Sequence, residues 1–382
     1  MSIRSLTHVL APAAAALAAV CALLGASHML ASDGPQTNQV TNQVAPAPFS
    51  AASRAVPMAT TSTPKHLYSK SGYDITPWPR AKVVEAAKSL PPDVQHILLE
   101  AGTEPAFCGL FTDNKEDGIY VCAIGGLPNF KSEHKFTSSS GWASFHTPFD
   151  PAHVIEREDS SHGMRRVEIL DARTGAHLGH VFDDGPKPTG RRYCLNSGAL
   201  RFISKGAALP AESQPVKAEA AYFGGGCFWG VEDAFAAIDG VMDAESGFAG
   251  GSSDKATYQE VCRGTTGHAE IVKITFDPAV VPYRDLVKQF FRIHDPTTMN
   301  RQGPDVGDQY RSAIFTASDA QRATALEIID KLGQLDAFKT KKVVTQVAPI
   351  QNYIKAEEYH QDYHRKNGGQ CHMRGFQGEL PF

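Results

Sequence analysis

The stretch from Lys205 to Lys217, polar and carrying Pro210 and Pro215, separates two regions built on different patterns, and this break constrains the fold more than any other feature. Upstream, from about 75 to 206, one helical stretch near 81–101 gives way to short alternating segments at 118–124, 153–155, 166–170, 179–182 and 192–196. Gly, Asp and Pro punctuate them, as in DDGPKPTG, which predicts an antiparallel architecture and not βαβ units. Downstream, strands alternate with helices. A strand at 219–223 runs through three glycines into a helix from Cys227, and a strong strand covers 268–276. Pro282 sits where a first helical turn tolerates proline and opens an amphipathic helix to His294. Ser318 with Gln321 predicts a capping box for a helix stopped by Gly333, followed by a strand at 341–348 and a last helix at 356–366. A chain of 382 residues is long for one core and comfortable for two. The expectation is two domains, 75–206 mainly antiparallel β and 218–382 α/β or α+β, joined by a linker at 207–217.

Residues 1–32 stand apart. Arg4 precedes an Ala- and Leu-rich run from Val9 to Leu24, the pattern of a secretory signal. Gly25-Ala26-Ser27 is a small-residue cleavage site without a clean A-x-A, so an uncleaved anchor over 9–30 stays open. Either way the chain is expected to be exported, to the periplasm or cell envelope, with membrane contact only through this segment. Cys21 follows Val20, where a lipoprotein signal wants a small residue. Residues 33–74 are largely Pro, Ala, Thr, Ser and Gln and read as a flexible linker. A formal charge of −4 with no basic stripe excludes nucleic acid as a partner, and protein and peptide substrates fit better.

Beyond the leader lie Cys108, Cys122, Cys194, Cys227, Cys262 and Cys371, with no C-x-x-C pair, so the question is one of reactivity. Cys227 follows a strand and three glycines and opens a helix, where the dipole and unpaired N–H groups favour the attacking thiolate. A buried structural cysteine beside a glycine turn is the alternative. The string GGGCFWGVE, with TYQEVCRGTTGHAEIVKITFDP, NRQGPDVGDQYRSAIF and EEYHQDYHRKN, resembles peptide methionine sulfoxide reductase A over essentially all of 218–375. The resemblance implies a two-layer α+β sandwich with a ferredoxin-like core. It implies that Cys227 attacks the sulfoxide sulfur, that Glu270, Tyr258 and Tyr310 hold or protonate the oxygen, that Asp305 supports them, and that Phe228 and Trp229 cradle the methyl group. Chemistry agrees, because a sulfoxide oxygen leaves only if it is protonated as the S–O bond breaks. Glu270 must then be a partly buried, protonated carboxyl. The resulting sulfenic acid needs a second thiol, and Cys371, in the glycine-flexible KNGGQCHM, is the expected resolving residue. Cys262, in a strand-like context beside Tyr258, is expected to be a packed core residue. His360 and His364 lie four apart, but without a third ligand or an H-E-x-x-H pattern a surface or packing role is expected, not metal.

The upstream region resembles methionine sulfoxide reductase B through HILLEAGTEPAFCG, SSGWASF, SHGMRRVEI and AHLGHVFDDGPKPTGRRYCLNSGALRF, over about 96–202. The resemblance implies Cys194 as nucleophile, His177, His180 and Asn196 orienting and protonating the oxygen, Asp184 and Arg192 in support, and Trp142 as the wall for the methyl group. A thiolate beside imidazoles is chemically sensible. His177 and His180, three apart, would face opposite sides of a regular strand, so a bulge or turn is required if both serve. Two departures stand out. Where many members hold zinc with two C-x-x-C pairs, this chain has Cys122-Ala123-Ile124-Gly125 and Asp171-Ala172-Arg173-Thr174, so no zinc is expected. Ser140 occupies the usual resolving position, which leaves Cys108 as the preferred replacement, over Cys122 or a one-cysteine cycle.

Oxidation makes methionine sulfoxide chiral at sulfur, and one enzyme serves each epimer. The two resemblances divide accordingly, the A type taking the S form and the B type the R form. They imply no bound cofactor but an external dithiol donor, thioredoxin-like or a membrane-linked relay. The competing readings are an envelope protein that binds oxidised methionine without turnover, and a general thiol peroxidase, which would not need Phe228 and Trp229.

Overall fold

A computed structural model of the protein describes residues 65–369 and 375–382, so the leader, most of the predicted linker and Cys371 lie outside the described residues. The helical stretch near 81–101 divides into two helices, Arg80–Ala87 and Pro92–Glu100. The cause is Pro91-Pro92: a residue before proline is pushed out of the helical region, while Pro92 itself suits a first turn.

The upstream strands are antiparallel throughout, in two sheets. One has three strands in the order Pro128–Lys131, Gly118–Cys122, Leu200–Ser204. The other has six, in the order Lys135–Phe136, Ala143–Phe145, Arg192–Leu195, His177–Phe182, Arg166–Asp171, Val154–Asp159. Tyr120, Phe130, Phe145, Leu178 and Tyr193 fill the space around them, with Ile97 and Leu98 of the second helix. The three strands at 128, 135 and 143 are two to four residues long, too short for a period of two to register in sequence.

The downstream region is one mixed six-stranded sheet with helices. Its strand order is Gln346–Pro349, Ala313–Thr316, Glu219–Gly224, Ala269–Phe276, Val241–Ala249, Ile354–Lys355, and only the first pair is parallel. Alternation along the strands sorts side chains onto two faces. Phe223, Val272, Ile274 and Ile314 pack with Phe235, Leu286, Phe290 and Ile328 of the helices Phe228–Ala236, Tyr283–Ile293 and Asp319–Gln334. Tyr222, Ile271, Ala313 and Phe315 form a smaller cluster on the opposite face.

Several expectations need correction. The strand at 341–348 is Gln346–Pro349, beginning after the polar, lysine-rich run. The helix expected to stop at Gly333 continues to Gln334. The helix at 356–366 is broken into a short turn, Glu358–His360, and Tyr363–Asn367, because Asp362 adopts φ +53° with its N–H held by both oxygens of buried Glu232. Cys262 is not a core residue: it is exposed at the end of the helix Tyr258–Cys262. Residues 65–74, expected within the linker, are instead hydrogen-bonded on both sides. Tyr73 is buried, and Ser71 Oγ donates to Asp150 at 2.7 Å. The His66 N–H donates to Asp239 at 2.7 Å.

Candidate active sites

In the downstream region the strand Glu219–Gly224 delivers the chain to the glycine turn, and Cys227 is the residue that caps the helix Phe228–Ala236. Gly226 has φ +99°, and a Cβ there would fall 2.7 Å from the Gln302 side chain, so both conformation and space require glycine. Gln302 belongs to the small hairpin Arg301–Gln302/Asp305–Val306, which carries Asp305.

Glu270 sits in phase with Val272, Ile274 and Phe276, a carboxyl at a core-facing position. It is 2% exposed, and its Oε2 accepts the Phe228 N–H at 3.1 Å. Burial pushes its pKa up to about 8; the Phe228 N–H opposes this and the Asp305 charge adds to it. The Tyr258 hydroxyl is pushed above its ordinary value, first by burial and then by Cys262, Glu270 and Tyr310. Tyr310 is pushed up to about 12 by burial and by Glu270, Asp305, Cys262 and Cys227. At neutral pH all three groups therefore keep their protons and are O–H donors. Phe228 is buried, and Trp229 stacks on Tyr363 at 3.7 Å between ring centroids. The Trp229 indole N–H donates to His360 Nδ1 at 3.1 Å, and His360 also packs on Phe228 and Tyr258. Of the surface and packing roles expected for it, His360, 1% exposed, takes the packing one.

In the upstream region Cys194 lies in the middle of the six-stranded sheet, opposite Ser144 on one side and His180 on the other. It opens on a cavity of about 170 Å³ whose apolar walls are Trp142 and Phe182 and whose polar groups include Arg166, His180 and Asn196. The required bulge is present: Ile169 pairs with Gly179 but Leu170 with His177, which leaves Leu178 as the extra residue. The bulge turns both imidazoles to one side, 5.4 Å apart edge-to-face. Gly179 permits it, since a Cβ there would lie 2.1 Å from the Cys194 carbonyl oxygen. His177 does not line the cavity; it lies behind His180, 2% exposed. Its Nδ1–H donates to Glu168 at 2.7 Å, leaving Nε2 with no protein partner. The His180 Nε2–H donates to Asp159 at 2.9 Å.

The thiol of Cys194 is pushed up by burial. What opposes that is the Ser140 hydroxyl, 3.6 Å from the sulfur, and the Arg192 guanidinium, not the histidines the sequence pointed to. Asp184 holds Arg192 in a two-pronged ion pair, 2.8 Å at each contact. Asn196 is committed to backbone: its amide oxygen accepts the Glu104 N–H at 3.0 Å and its NH₂ donates to Leu178 at the bulge.

Residues 219–379 match the family model of peptide methionine sulfoxide reductase, and residues 90–204 match that of the SelR domain. Peptide methionine sulfoxide reductase MsrA of Methanothermobacter thermautotrophicus is 54% identical over 149 residues, 39% of this chain and 88% of that protein. The chain belongs to the peptide methionine sulfoxide reductase family. MsrA of Deinococcus radiodurans is 49% identical to the reductase over 152 residues, 40% of this chain and 73% of the relative. The crystal structure of Mxr1 from Saccharomyces cerevisiae in reduced form shares 37% identity, covers 41% of this chain and 93% of its own, and superposes with a TM-score of 0.39.

Two groups in the reductase escaped the sequence reading. Glu104 accepts the N–H groups of Ser197 and Gly198 at 2.7 and 3.0 Å, and its carbonyl accepts the Trp142 indole N–H at 3.1 Å, so it pins both the wall and the turn after Cys194. Glu168 orients His177 and is itself held by Arg157 Nε at 2.9 Å. Only strand register connects Glu168 to His177, and register is not written in either residue. Burial lowers the proton affinity of His177 and Glu168 is the first group that raises it. Glu168→Gln is expected to lower kcat for the R epimer by about 10²-fold, near the lower end for loss of a general acid, with KM little changed. Steady-state kinetics on resolved epimers, with S-epimer turnover as the internal control, checks this.

The four positions that would carry zinc are brought together, but not as ligands. Cys122 Sγ lies 3.6 Å from Thr174 Oγ1, and Asp171 accepts from the Thr174 hydroxyl and amide and from Asn129. Burial and the Asp171 charge push the Cys122 thiol up to about 12. Gly125 supplies no side chain, and a Cβ there would fall 2.5 Å from Thr174 Cγ2. These residues do not fit a closed tetrahedral zinc site.

Proposed function

We propose that each domain carries its own complete cycle. The reaction is thiol-dependent reduction of methionine sulfoxide to methionine, the S epimer by the C-terminal domain and the R epimer by the N-terminal domain. The observation that carries the assignment is a buried carboxyl, Glu270, held protonated to about pH 8 beside the helix-capping Cys227. In this reading the Cys227 thiolate attacks sulfur, Glu270 gives its proton to the departing oxygen, and Tyr258 and Tyr310 hold that oxygen by donation. Asp305 keeps the Glu270 proton in place. Phe228 and Trp229 receive the methyl group. The oxygen passes as hydroxyl to the Cys227 sulfur while the transient bond between the two sulfurs breaks, so the products are the thioether and a Cys227 sulfenic acid, which the Cys371 thiol converts to a disulfide with loss of water.

In the N-terminal domain Cys194 attacks, His180 serves the oxygen with His177 behind it, and Trp142 receives the methyl group. Arg192, held by Asp184, favours the thiolate. Asn196 acts by clamping the Leu178 bulge that aligns the two histidines. Cys108 resolves Cys194. It is exposed, and its neighbour Phe107 donates its N–H to Gly141 at 2.8 Å, next to Ser140. A dithiol protein of thioredoxin type returns both disulfides to thiols, because dithiothreitol-like exchange needs only an accessible disulfide. The substrates are oxidised proteins and peptides.

Zinc plays no part in this reading. The Arg173 guanidinium donates to the Gly125 carbonyl at 2.8 Å, which ties together the two segments a metal would otherwise hold, and it also donates to the carbonyls of Asp74 and Glu212. The strand–helix–strand–strand–helix–strand run from 219 to 316, with its last strand beside its first and its third between first and second, supports a ferredoxin-like core. We take 75–206 and 218–382 as the two catalytic domains, with 207–217 between them. The leader pattern supports export to the periplasm or envelope.

Peptide mapping of protein quenched after one turnover without reductant tests the cycles. The expected bridges are Cys227–Cys371 and Cys194–Cys108. A persistent Cys194 sulfenic acid, trapped by dimedone while Cys108 stays a thiol, would contradict the second.

A further inference from the structure

We infer that Phe107 and Leu110 form the docking face through which a dithiol-protein donor reaches the resolving thiol of the N-terminal domain. Among the described large hydrophobic residues these two are the most exposed, at 73% and 87%, and exposed Cys108 lies between them. Apolar side chains left this far in water on one short loop mark a contact surface more than a packing defect. The loop is held in place. The Phe107 N–H donates to Gly141, the Cys108 N–H donates to Pro105 at 3.3 Å, and Phe107 keeps φ +66°, a conformation unfavourable for a bulky residue. A Cβ at Gly141 would fall 2.8 Å from Ala106 Cβ and 3.1 Å from the Phe107 ring, so the loop lies directly on the segment that carries Ser140.

The occupant follows from what these side chains do not touch. The cavity over Cys194 has its own apolar walls, Trp142 and Phe182, and neither Phe107 nor Leu110 lines it. The pair therefore flanks the resolving sulfur and not the reacting sulfoxide. Regeneration needs a donor thiolate to attack Cys108 Sγ, breaking the Cys108–Cys194 bond and releasing Cys194 as thiolate. The donor's second thiol then attacks the mixed disulfide, releases the Cys108 thiol, and leaves the donor oxidised to its own disulfide. In that approach a protein donor covers the residues on both sides of Cys108. This inference rests on Cys108 being the resolving residue.

The test compares the full chain with the Phe107→Ser/Leu110→Ser double variant and with Cys108→Ser. R-epimer turnover is measured with dithiothreitol and with a thioredoxin kept reduced by its NADPH-dependent reductase. The double variant is expected to raise the KM for thioredoxin about tenfold, as loss of two interface anchors does. Its dithiothreitol turnover, its KM for the sulfoxide peptide and its thioredoxin-supported S-epimer turnover are expected to stay unchanged. An unchanged KM for thioredoxin would overturn the docking face, and so would a raised KM for the peptide, which would make the pair a substrate contact. Full thioredoxin-supported R-epimer turnover in Cys108→Ser would instead remove the resolving role on which the inference stands.

Discussion

Cys227→Ser is expected to abolish reduction of the S epimer, by at least ~10⁴-fold, and to leave R-epimer turnover at its original rate. A serine hydroxyl at the helix cap receives the same dipole, but it is far less acidic than a thiol and offers no thiolate to attack sulfur. The N-terminal domain is untouched, because Cys194 lies in a separate sheet with its own histidines and its own arginine. Cys194→Ser should give the mirror image. Chromatographic assay of resolved epimers with dithiothreitol as reductant measures both. Loss of both activities in either single variant would mean that the two sites are not independent.

Glu270→Gln is expected to lower the S-epimer rate by ~10²–10⁴-fold, the range for removal of a positioned general acid. Glutamine keeps an oxygen to accept the Phe228 N–H, so the turn is preserved while the proton is lost. The pH dependence carries the sharper signature. Because burial raises the carboxyl to about 8, the acid form is present below that pH and is lost above it. Single-turnover rates of the unsubstituted protein should therefore fall about tenfold per pH unit above about 8, and Glu270→Gln should show no such limb. A rate still rising through pH 9 in the unsubstituted protein would exclude Glu270 as the donor.

Glu270 was legible through the resemblance carried by TYQEVCRGTTGHAEIVKITFDP and the need for an acid at the leaving oxygen, and its core-facing place beside Val272, Ile274 and Phe276 came with the structure. Cys227 was legible because strand, glycines and helix leave few conformations for the residue between them. The requirement for a bulge at His177 and His180 followed from counting, although its place at Leu178 did not. What stayed hidden depends on partners distant in sequence. The strand Val241–Ala249 carries Asp243 and Glu245, whose polarity masks its pairing with Ala269–Phe276. Glu104 meets the N–H groups of Ser197 and Gly198 only once the chain has folded. Cys262 was misread because a five-residue helix with a capping box at Thr257 and Glu260 carries too little periodicity to be separated from a strand. The break at Asp362 is set by Glu232, 130 residues away.

The most direct test of two working sites in one chain is the end point of a racemic sulfoxide. A peptide carrying equal S and R methionine sulfoxide, incubated with the full chain and excess dithiothreitol, is predicted to be reduced completely, in two phases. A reaction that halts with half the sulfoxide remaining, all of one epimer, would contradict the account.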